Sequence, residues 1–552
     1  MSRSDWDGRL VPYPSDRADA YRSSGAWSTL TTGRRLHGVA VRFPDRPAVI
    51  TADATITYAE LDRRTDLLAA GLAERGLRPR DPVLFQLTNR LDTVVAWYGS
   101  IKAGVIPVAT LAAHRGHEIG QISRKVGAVA HFVDSSVVGL VEFARNHAVG
   151  HPTIQHVLVA DEPIGADIDP GSARTLVERI DRGIDPADVV AFQLSGGTTG
   201  VPKVIPRIHA EYWNNAQLYA QRLGWDENTV VAHLIPIVHN AGISCGLHAA
   251  HSVGACLVLA TPDAPSAFQL MAQSRATDVL IGHGHYQAVQ SPSFEQARTH
   301  LRHVVLSGAK VSPDLFEHVQ AGGVWAGQLF GMAEGMFLAS PPDSPAEARQ
   351  TTVGTPISVH DDIRILEPGT EDVVADGTIG ELCCRGPYTI VGYFDAPDHN
   401  RTAFTSDGFY RTGDLAAISL IDGVRYVSIE GRIKDVINRG GEKINAEELE
   451  ALLILHSGIA SVAVVAMPDP RLGEKTCAYL VSADGERLSI EEVRDHLARL
   501  GVAKYKWPER LEWIDELPRS NVGKVDKRLL RTDIATKVTA DLAVSGENYA
   551  TR

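Results

Sequence analysis

The sequence predicts an α/β protein with more than one domain, and three observations lead to this prediction. The chain has 552 residues, which is more than one hydrophobic core usually holds. Up to about residue 355, strand-like apolar runs alternate with helix-like segments, a pattern typical of parallel α/β layers. Past residue 355, and again near residue 432, the sequence changes character. These changes indicate a smaller β-rich part and then a separate tail domain.

The early elements are placed by capping signals and apolar runs. Thr57 and Glu60 form a capping-box pattern that opens a helix, and Gly76 closes it. Short apolar runs predict strands at residues 83–87, 128–133, 157–160, 189–194, 230–235, 256–260 and 304–306.

The later elements are shorter and lie between Gly and Asp turns. Residues 380–386 are typical of the strands in the β-rich part. In the tail, Asn445 and Ser489 each cap a helix, and strands are predicted at residues 461–467 and 476–481. The tail of roughly 120 residues is a plausible α+β domain, and we expect its polar end, from Asp541 onward, to be frayed.

Composition narrows the class of protein. Hydrophobic residues make up 44% and charged residues 22%, which is ordinary for a globular chain. No apolar stretch approaches a membrane span, and the start has no secretory h-region, so we expect a cytoplasmic protein that spans no membrane. The net charge of -13 argues against a general nucleic-acid binder. The five cysteines have no metal-type spacing, and we expect free thiols.

A hydroxyl- and glycine-rich loop follows the predicted strand at residues 189–194 and ends on a lysine. Its members are Ser195, Gly196, Gly197, Thr198, Thr199, Gly200, Val201, Pro202 and Lys203. Glycines let backbone N–H groups surround an anion, while the hydroxyls donate and the lysine adds charge. The pattern therefore predicts a polyphosphate cradle, with a solvated surface loop as the alternative. It is not a P-loop, because two residues separate Gly200 from Lys203.

Four further stretches carry polar side chains in glycine-rich or turn-rich contexts. They are Phe-Gly-Met-Ala-Glu-Gly at 330–335, Tyr-Arg-Thr-Gly-Asp at 410–414, Gly-Arg-Ile-Lys-Asp at 431–435 and the turn around Gly523 and Lys524. The carboxylate of Asp414 can accept hydrogen bonds from sugar hydroxyls, and residues 431–435 can serve as a hinge. Taken singly, each stretch also fits a structural turn or a solvated linker.

Taken together and in this order, the five motifs resemble the core motifs of the adenylate-forming superfamily, which includes acyl-CoA synthetases, luciferases and adenylation domains of nonribosomal peptide synthetases. The resemblance covers residues 30–535. It implies a large N-terminal domain, residues 1–431, built from two α/β subdomains and a β-barrel-like subdomain. It also implies a hinge at residues 432–436 and a small mobile α+β C-terminal domain at residues 437–552.

The resemblance further implies ATP and Mg²⁺ as cofactors and a role for each motif. The loop from Ser195 to Lys203 would hold the β- and γ-phosphates, and Glu334 would help to bind Mg²⁺. Gly308, Ala309 and Phe330 would flank adenine, Asp414 and Arg432 would hold the ribose, and the nucleotide site would also include Gly331. Lys524 would be the catalytic lysine, which offsets charge while a carboxylate attacks the α-phosphorus. Lys434 would be the hinge about which the small domain rotates before a thiol attacks.

The kind of acid is narrowed by departures from the general family pattern. Ala333 stands where a threonine is usual, and Gly-Met-Ala-Glu-Gly resembles the subfamily that activates aryl acids such as 2,3-dihydroxybenzoate and salicylate. In that subfamily an asparagine in the place of Asn240, which follows His239, bonds the hydroxyl ortho to the carboxylate. No suitably placed aspartate awaits an α-amino group, so an aryl acid is expected rather than an amino acid.

The resemblance also implies the pocket that receives the acid. It would be lined by His239, Asn240, Ala241, Cys245, Ser307, Leu329, Ala333 and Phe337. Salicylate enzymes resemble one another in carrying cysteine at the place of Cys245, where dihydroxybenzoate enzymes carry serine, so salicylate-like acids are favoured. Ala241 replaces a Phe or Tyr, and Phe337 replaces a smaller residue. Either they compensate in volume, or they reshape the pocket for methylsalicylate, 3-hydroxypicolinate or an aminobenzoate. Simple core packing is the other explanation for Cys245 and Phe337.

The thiol acceptor is expected to be a separate molecule, because no phosphopantetheine site follows the small domain. An aryl or peptidyl carrier protein acting in trans is the first expectation. Coenzyme A, as in a benzoate-type CoA ligase, is the rival acceptor. A non-catalytic homologue that only binds nucleotide or carrier is the third alternative, and the presence of Lys524 and Glu334 argues against it.

Overall fold

The computed structural model describes residue 6 and residues 8–195, 203–439, 442–519 and 524–545. The chain divides into two compact units. The first comprises Met1–Ile363 and Cys384–Arg411, and the second comprises Arg364–Cys383 and Thr412–Arg552. The hinge predicted at residues 432–436 therefore lies inside the second unit.

The strands, in chain order, are β1 (Pro47–Ile50), β2 (Thr55–Thr57), β3 (Pro82–Gln86), β4 (Ile106–Val108), β5 (Ala130–Val133), β6 (His156–Val159), β7 (Val189–Leu194), β8 (Val204–Ile208), β9 (Val230–His233), β10 (Cys256–Leu259), β11 (Asp278–Gly282), β12 (His303–Ser307), β13 (Trp325–Gly331), β14 (Phe337–Ala339), β15 (Thr355–Pro356), β16 (Asp362–Leu366), β17 (Gly380–Arg385), β18 (Tyr410–Ile421), β19 (Val424–Arg432), β20 (Val436–Arg439), β21 (Glu442–Asn445), β22 (Ile459–Asp469), β23 (Gly473–Ser482) and β24 (Arg510–Trp513).

The α-helices are α1 (Ser15–Ser23), α2 (Thr32–Arg42), α3 (Tyr58–Glu74), α4 (Leu91–Lys102), α5 (Gly116–Val126), α6 (Leu140–Val149), α7 (Pro170–Asp181), α8 (His209–Arg222), α9 (His248–Ser252), α10 (Ala264–Gln273), α11 (Pro292–Arg298), α12 (Pro313–Gln320), α13 (Ala346–Thr351), α14 (Pro397–Ala403), α15 (Ala446–Leu453), α16 (Ile490–Arg499) and α17 (Lys527–Ser545).

Two sheets form the first unit. One has six strands in the order β6-β5-β3-β4-β7-β8, parallel except for the edge pair β7 and β8. The other has nine strands in the order β15-β14-β13-β12-β11-β9-β10-β1-β2, parallel from β13 to β1. Central strands such as β3 and β10 are buried throughout, which explains their nearly continuous apolar sequences. The predicted parallel α/β layers are confirmed.

The helix predicted after Thr57 is α3. The Thr57 hydroxyl accepts a hydrogen bond from the Glu60 N–H at 3.3 Å, which satisfies one of the open donors of the first turn. Leu61, Leu68 and Leu72 are buried on one side of the helix. The helix ends at Glu74, and Gly76 adopts a positive φ of 86°, a conformation that glycine tolerates at the end of a helix.

The second unit contains two small sheets. The predicted β-rich part is a four-stranded sheet in the order β16-β17-β18-β19, although parts of β16, β17 and β18 belong to the first unit. In the tail, β21-β20-β23-β22 form one sheet, which β24 joins beside β23. Asn445 caps α15, and Ser489 with Glu492 forms the capping box of α16. Both helix starts confirm the sequence-based prediction.

Helix α17 corrects part of the expectation for the end of the tail. It begins at Lys527 and continues to Ser545, so residues 541–545 are helical where a frayed end was predicted, while residues 546–552 lie outside the described residues. Leu530 and Ile534 are buried against β22 and β23, and Val538 packs on the same cluster. Their spacing of four places them on one face of a helix, a signal that is weak because charged residues surround it.

Two general features of the described residues complete the fold. All five cysteines, Cys245, Cys256, Cys383, Cys384 and Cys477, are buried free thiols. Among the described helices, none combines the length and the apolar character that crossing a bilayer requires.

Candidate active site

The site lies where β12 and β13 end, side by side, at the carboxyl edge of the nine-stranded sheet. Open parallel sheets bind ligands at this edge. The Ser307 hydroxyl donates to the Leu329 carbonyl at 2.9 Å, which ties the two strand ends together. Gly308 follows with a φ of 99°, and a Cβ there would lie 2.8 Å from His283 Nδ1. Gly308 and Ala309 are exposed and Phe330 is half-buried, so this edge offers a ring and open backbone.

The predicted phosphate loop is closed at its base by Ser195 and Lys203. The Ser195 N–H donates to the Lys203 carbonyl, and the Lys203 N–H donates to the Ser195 hydroxyl, both at 3.0 Å. The ammonium of Lys203 lies 5.7 Å from the centre of the Tyr393 ring, within the range of a cation–π contact. Gly196, Gly197, Thr198, Thr199 and Gly200 lie outside the described residues, so their predicted role stays a prediction.

The loop between β13 and β14, residues 332–336, carries Ala333 and Glu334. Four successive carbonyls of this loop accept hydrogen bonds from four different donors. These bonds are Asn240 Nδ2 to Met332 at 3.3 Å, Arg207 Nη1 to Ala333 at 2.9 Å, Ile390 N to Glu334 at 2.9 Å and Asn215 Nδ2 to Gly335 at 2.9 Å. A backbone held at four successive residues fixes where the Glu334 side chain begins.

Gly335 makes this loop possible. Its φ is 140°, and a Cβ there would lie 1.6 Å from the Tyr388 carbonyl oxygen. No other residue fits, because both the backbone conformation and the close approach require glycine.

A buried ion pair supports the same loop from behind. Arg207 Nε and Nη2 donate to the two carboxylate oxygens of Glu211 at 2.8 and 2.5 Å. Both residues are essentially inaccessible to solvent, and burial raises the pKa of the Glu211 carboxyl even beside Arg207. The guanidinium also stacks over the Tyr212 ring at 4.5 Å.

Glu334 is buried and is held by a tyrosine. Tyr393 donates its hydroxyl proton to Glu334 Oε1 at 2.6 Å, and the hydroxyl of Tyr410 lies 2.8 Å from that of Tyr393. In the part of the chain that the structure describes, no three His, Cys, Asp or Glu side chains cluster as a metal site would. One positioned carboxylate fits Mg²⁺, which proteins often bind through one or two carboxylates together with substrate phosphates.

The predicted acid pocket centres on Asn240, after which the chain forms a π-helical turn, Gly242–Leu247. Such turns are common at functional sites. Asn240 is buried, and its amide reaches both the 332–336 loop and the Tyr212 hydroxyl. Cys245 lies within the π-helical turn, and burial raises the pKa of its thiol.

The far side of this pocket is aromatic. Phe337 lies against Gly331, where a Cβ would stand 2.5 Å from Phe337 Cδ1, and its ring centre is 6.5 Å from that of Tyr219. Cys245, Leu329 and Phe337 all belong to the main hydrophobic cluster of the first unit. They are therefore core residues by burial, whatever else they contact.

His239 and Ala241 flank Asn240 at the surface end. His239 is exposed and Ala241 is half-buried. The Ala241 N–H donates to His239 Nδ1 at 3.3 Å, which assigns the ring proton of a neutral His239 to Nε2.

The remaining predicted residues lie in the second unit. Asp414 is buried and pairs with Arg432, with 2.8 Å between Oδ1 and Nε, because β18 and β19 set the two residues opposite each other. Lys434 occupies the 3₁₀ turn that follows β19. Lys434 and Lys524 keep solvent contact, yet crowding by protein atoms, followed by the charge of Arg432, lowers the pKa of each ammonium. Asp414, Arg432, Lys434 and Lys524 thus share one electrostatic neighbourhood.

The sequence reasoning missed the supporting residues Arg207, Tyr212, Asn215 and Tyr393. Arg207 did carry a signal, since a charged residue inside an apolar strand, four positions before Glu211, points to a buried pair. Tyr393 carried little sequence signal, because its partner Glu334 lies 59 residues away in the chain.

Comparisons with known proteins cover nearly the whole chain. A family model described as AMP-binding enzyme matches residues 36–394, and one described as AMP-binding enzyme C-terminal domain matches residues 448–524. A Streptomyces protein named salicylyl-CoA synthase / salicylate adenylyltransferase is 38% identical over 97% of this chain and 99% of its own. The salicyl-AMP ligase / salicyl-S-ArCP synthetase of Mycobacterium tuberculosis is 37% identical over 95% of this chain and 94% of its own. Among solved structures, apo MbtA of Mycobacterium smegmatis matches with a TM-score of 0.71 and 36% identity, covering 96% of this chain and 99% of that one.

Proposed function

The chain belongs to the AMP-binding, adenylate-forming enzymes, and from this premise we propose that it activates a salicylate-like, ortho-hydroxy aryl acid. ATP and the acid would give the acyl-adenylate and pyrophosphate. The acyl group would then pass to the phosphopantetheine thiol of a separate carrier protein. The names of the relatives at 37–38% identity, which refer to salicylate, support this choice of acid.

The single observation that carries the proposal is the placement of Asn240. Its amide is buried, and it bonds the Met332 carbonyl in the loop that carries Glu334. A buried amide beside the apolar and aromatic side chains of Cys245, Leu329 and Phe337, and bonded to the loop of the predicted metal carboxylate, suits a ring with one polar substituent beside its carboxylate. The buried thiol of Cys245 offers no comparable partner for a second ring hydroxyl.

The adenylation step depends on positioning and charge. Phe330 and the open backbone at Gly308 and Ala309 would hold adenine, and Asp414 with Arg432 would hold the ribose. The loop from Ser195 to Lys203 would hold the phosphates. Mg²⁺, bound by Glu334 and the phosphates, would supply positive charge against the leaving pyrophosphate. Lys524 would bond the oxygens at the α-phosphorus, where negative charge develops as the carboxylate attacks.

The second half-reaction would require that Lys524 withdraw from the adenylate. The proposed boundary places residues 437–552 in a mobile domain that turns about residues 432–436, with Lys434 at the pivot. The Arg531 side chain supports a pivot here, since it bonds the Lys434 carbonyl at 3.4 Å and pairs with Asp435. These contacts tether α17 to the segment on which the domain would turn.

Coenzyme A is the second candidate acceptor. It is favoured by the first relative, whose name includes salicylyl-CoA synthase, whereas the mycobacterial relative's name includes S-ArCP. The two acceptors differ only in what presents the thiol, so discharge of a preformed adenylate by coenzyme A or by a holo-carrier protein decides between them.

The experiment that tests the proposal is ATP–pyrophosphate exchange with a panel of acids. The panel contains salicylate, 2,3-dihydroxybenzoate, benzoate, 3-hydroxypicolinate and 6-methylsalicylate, with amino and fatty acids as controls. We expect exchange with ortho-hydroxy aryl acids and its loss in Asn240→Ala. Exchange confined to amino or fatty acids would refute the aryl assignment, and inactivity of wild type and Lys524→Ala alike with every acid would favour a non-catalytic homologue.

A further inference from the structure

Asn240 belongs to a chain of buried hydrogen bonds that begins on β7. Gln193 Nε2 lies 3.5 Å from the Val238 carbonyl and 3.0 Å from the Tyr212 hydroxyl. Tyr212 in turn lies 2.9 Å from Asn240 Oδ1, and the Ser244 hydroxyl lies 3.4 Å from the same oxygen. Gln193, Tyr212, Asn240 and Ser244 are all buried, with at most 3% of their surface exposed. Water therefore does not compete for these bonds.

The donors and acceptors in this series of hydrogen bonds can be assigned in only one way. A backbone carbonyl can only accept, so the Val238 carbonyl requires an N–H of Gln193, and the Met332 carbonyl requires an N–H of Asn240. The second N–H of Gln193 donates to the Tyr212 oxygen, which leaves the single Tyr212 proton to be donated to Asn240 Oδ1. The amide orientations follow from these partners and not from a free choice of rotamer.

This direction decides what Asn240 can offer a ligand. Its oxygen already accepts from Tyr212 and from Ser244, which occupies both lone pairs. Its nitrogen has two hydrogens, and in the described part of the chain one of them goes to the Met332 carbonyl. The group left for a bound acid is therefore an N–H donor.

We propose that Tyr212 and Gln193 are positioning residues that fix the Asn240 amide as a donor, so that the site selects aryl acids whose ortho substituent accepts a hydrogen bond and rejects ortho-amino acids. The proposal rests on the function proposed above, because it concerns the same acid pocket. The proposal predicts that the site distinguishes salicylate from anthranilate, two acids of nearly equal size.

The two acids differ in whether the ortho group accepts or donates a hydrogen bond. The salicylate hydroxyl directs its proton to the neighbouring carboxylate, and its oxygen keeps lone pairs for the Asn240 N–H. The anthranilate nitrogen shares its lone pair with the ring and presents N–H donors. Donor would then face donor in a buried site, which leaves the Asn240 N–H without a partner.

The first test compares kcat/KM for salicylate and anthranilate in ATP–pyrophosphate exchange by the wild type. We expect salicylate to be preferred by about 10- to 100-fold, the usual consequence of one unsatisfied buried donor. Equal use of the two acids, or a preference for anthranilate, would overturn the inference and leave the aryl-acid function standing. Failure to exchange with any aryl acid would overturn the proposed function, and the inference with it.

The second test changes the relay of hydrogen bonds through Gln193, Tyr212 and Asn240 and leaves the group proposed to contact the acid unchanged. Tyr212→Phe removes the shorter of the two hydrogen bonds that Asn240 Oδ1 accepts, which weakens the hold on the amide orientation, and we expect the salicylate-to-anthranilate ratio to fall by about tenfold with the KM for ATP unchanged. A purely structural role would lower activity with both acids by the same factor. Tyr58→Phe is the matched control, since Tyr58 is an equally buried tyrosine that donates to the Ala255 carbonyl at 2.6 Å, outside the relay.

A third variant turns the group proposed to contact the acid from a hydrogen-bond donor into an acceptor. Asn240→Asp replaces the N–H by an acceptor oxygen, and we expect anthranilate to gain on salicylate relative to the wild type. Thermal unfolding of each variant shows whether it is folded. A folded Asn240→Asp protein with an unchanged preference would contradict the donor assignment.

Discussion

At the scale of single residues, Glu334 is a side chain whose position is fixed by hydrogen bonds to its backbone and to its carboxylate. Its backbone carbonyl accepts from Ile390 N, and its carboxylate accepts from the Tyr393 hydroxyl at 2.6 Å. A carboxylate that binds Mg²⁺ works best when such neighbours fix its rotamer. If Glu334 binds Mg²⁺ as proposed, Tyr393 would act on the metal through Glu334.

Removing the Tyr393 hydroxyl should weaken the use of Mg²⁺. In Tyr393→Phe we expect the Mg²⁺ concentration for half-maximal exchange to rise by about 10- to 100-fold, as is usual when a residue supporting a metal ligand is lost. A titration of exchange against MgCl₂ measures this, with Tyr58→Phe as the control. An unchanged Mg²⁺ requirement would show that Glu334 needs no such support.

The lowered pKa of Lys524 predicts the alkaline side of the pH profile. In the role proposed for Lys524, only the protonated ammonium would offset charge at the α-phosphorus, and its pKa is lowered by desolvation and by Arg432. The proton is therefore lost at lower pH than from an ordinary lysine, whose pKa is about 10.4. Exchange should fall as pH rises through this lowered pKa, and the fall should shift to higher pH in Arg432→Gln. A profile flat up to the ordinary lysine pKa would contradict the assignment.

The motif residues could be predicted from the sequence because each stands in a short, distinctive context. Asp414 and Arg432 were assigned to one sugar, and the structure places them 2.8 Å apart. Arg207 and Tyr393 were not found, because their roles arise from contacts with the 332–336 loop, more than 50 residues away in the chain. A single sequence does not say which distant residues meet.

At the scale of elements, α8 is the scaffold of the proposed acid pocket. It carries Glu211, Tyr212, Asn215 and Tyr219, whose spacing of three and four places most of them on one face. From this face the helix supports the 332–336 loop through Asn215, Asn240 through Tyr212, and Arg207 through Glu211. The site is thus built on a rigid element and not on loops alone.

Substitutions at the buried pair of Arg207 and Glu211 should affect the free energy of unfolding and the exchange activity in different ways. Arg207→Met leaves Glu211 buried without its partner, and we expect a loss of about 3–5 kcal/mol in the free energy of unfolding. The double variant Arg207→Met/Glu211→Leu removes both charges and should recover most of that loss. Exchange should stay low in the double variant, because the Ala333 carbonyl has still lost its donor.

Urea denaturation of the two variants and the wild type measures the stability difference. If the double variant is no more stable than the single one, the unpaired charge is not what destabilises Arg207→Met. If the stable double variant regains full exchange, the bond to the Ala333 carbonyl is not needed to position Glu334.

Elements were predicted best where one strong local signal dominates. Strand β7 has the bounds that its apolar run predicts, and the helix starts at Thr57 and Ser489 agree with their capping patterns. Helix α17 was missed because its apolar positions are spread four apart among charged residues. Its helical state depends on burial against β22 and β23, which local sequence does not reveal.

At the scale of the whole molecule, the proposed cycle asks one chain to run two reactions. The residues proposed for this cycle belong to both compact units, with Asn240, Lys203 and Glu334 in the first and Asp414, Lys434 and Lys524 in the second. The sequence predicted two domains from changes in composition. Composition alone did not predict that residues 364–383 cluster with the tail, because that depends on which strands pair.

The two half-reactions should be separable by substitutions in the second unit. Lys524→Ala should reduce adenylate formation by about 100-fold or more, since one charge stabilising the transition state is lost. When supplied with preformed salicyl-adenylate, the same variant should still transfer the acyl group at a rate near that of the wild type. Lys434→Pro, which stiffens the pivot, should show the opposite pattern.

Exchange and single-turnover thioester formation with a holo-carrier protein or coenzyme A measure the two steps separately. Equal loss of both steps in Lys524→Ala would contradict a role confined to adenylation. Unimpaired transfer by Lys434→Pro would place the pivot elsewhere in the chain.

The buried thiols can report when the structure around each of them opens. Burial raises the pKa of Cys256 and of Cys477 to about 12, so neither reacts with an alkylating reagent near neutral pH until its surroundings open. Cys256 lies in the first unit and Cys477 in the second. The order in which mass spectrometry finds them alkylated would report which unit loosens first, with no label engineered into the chain.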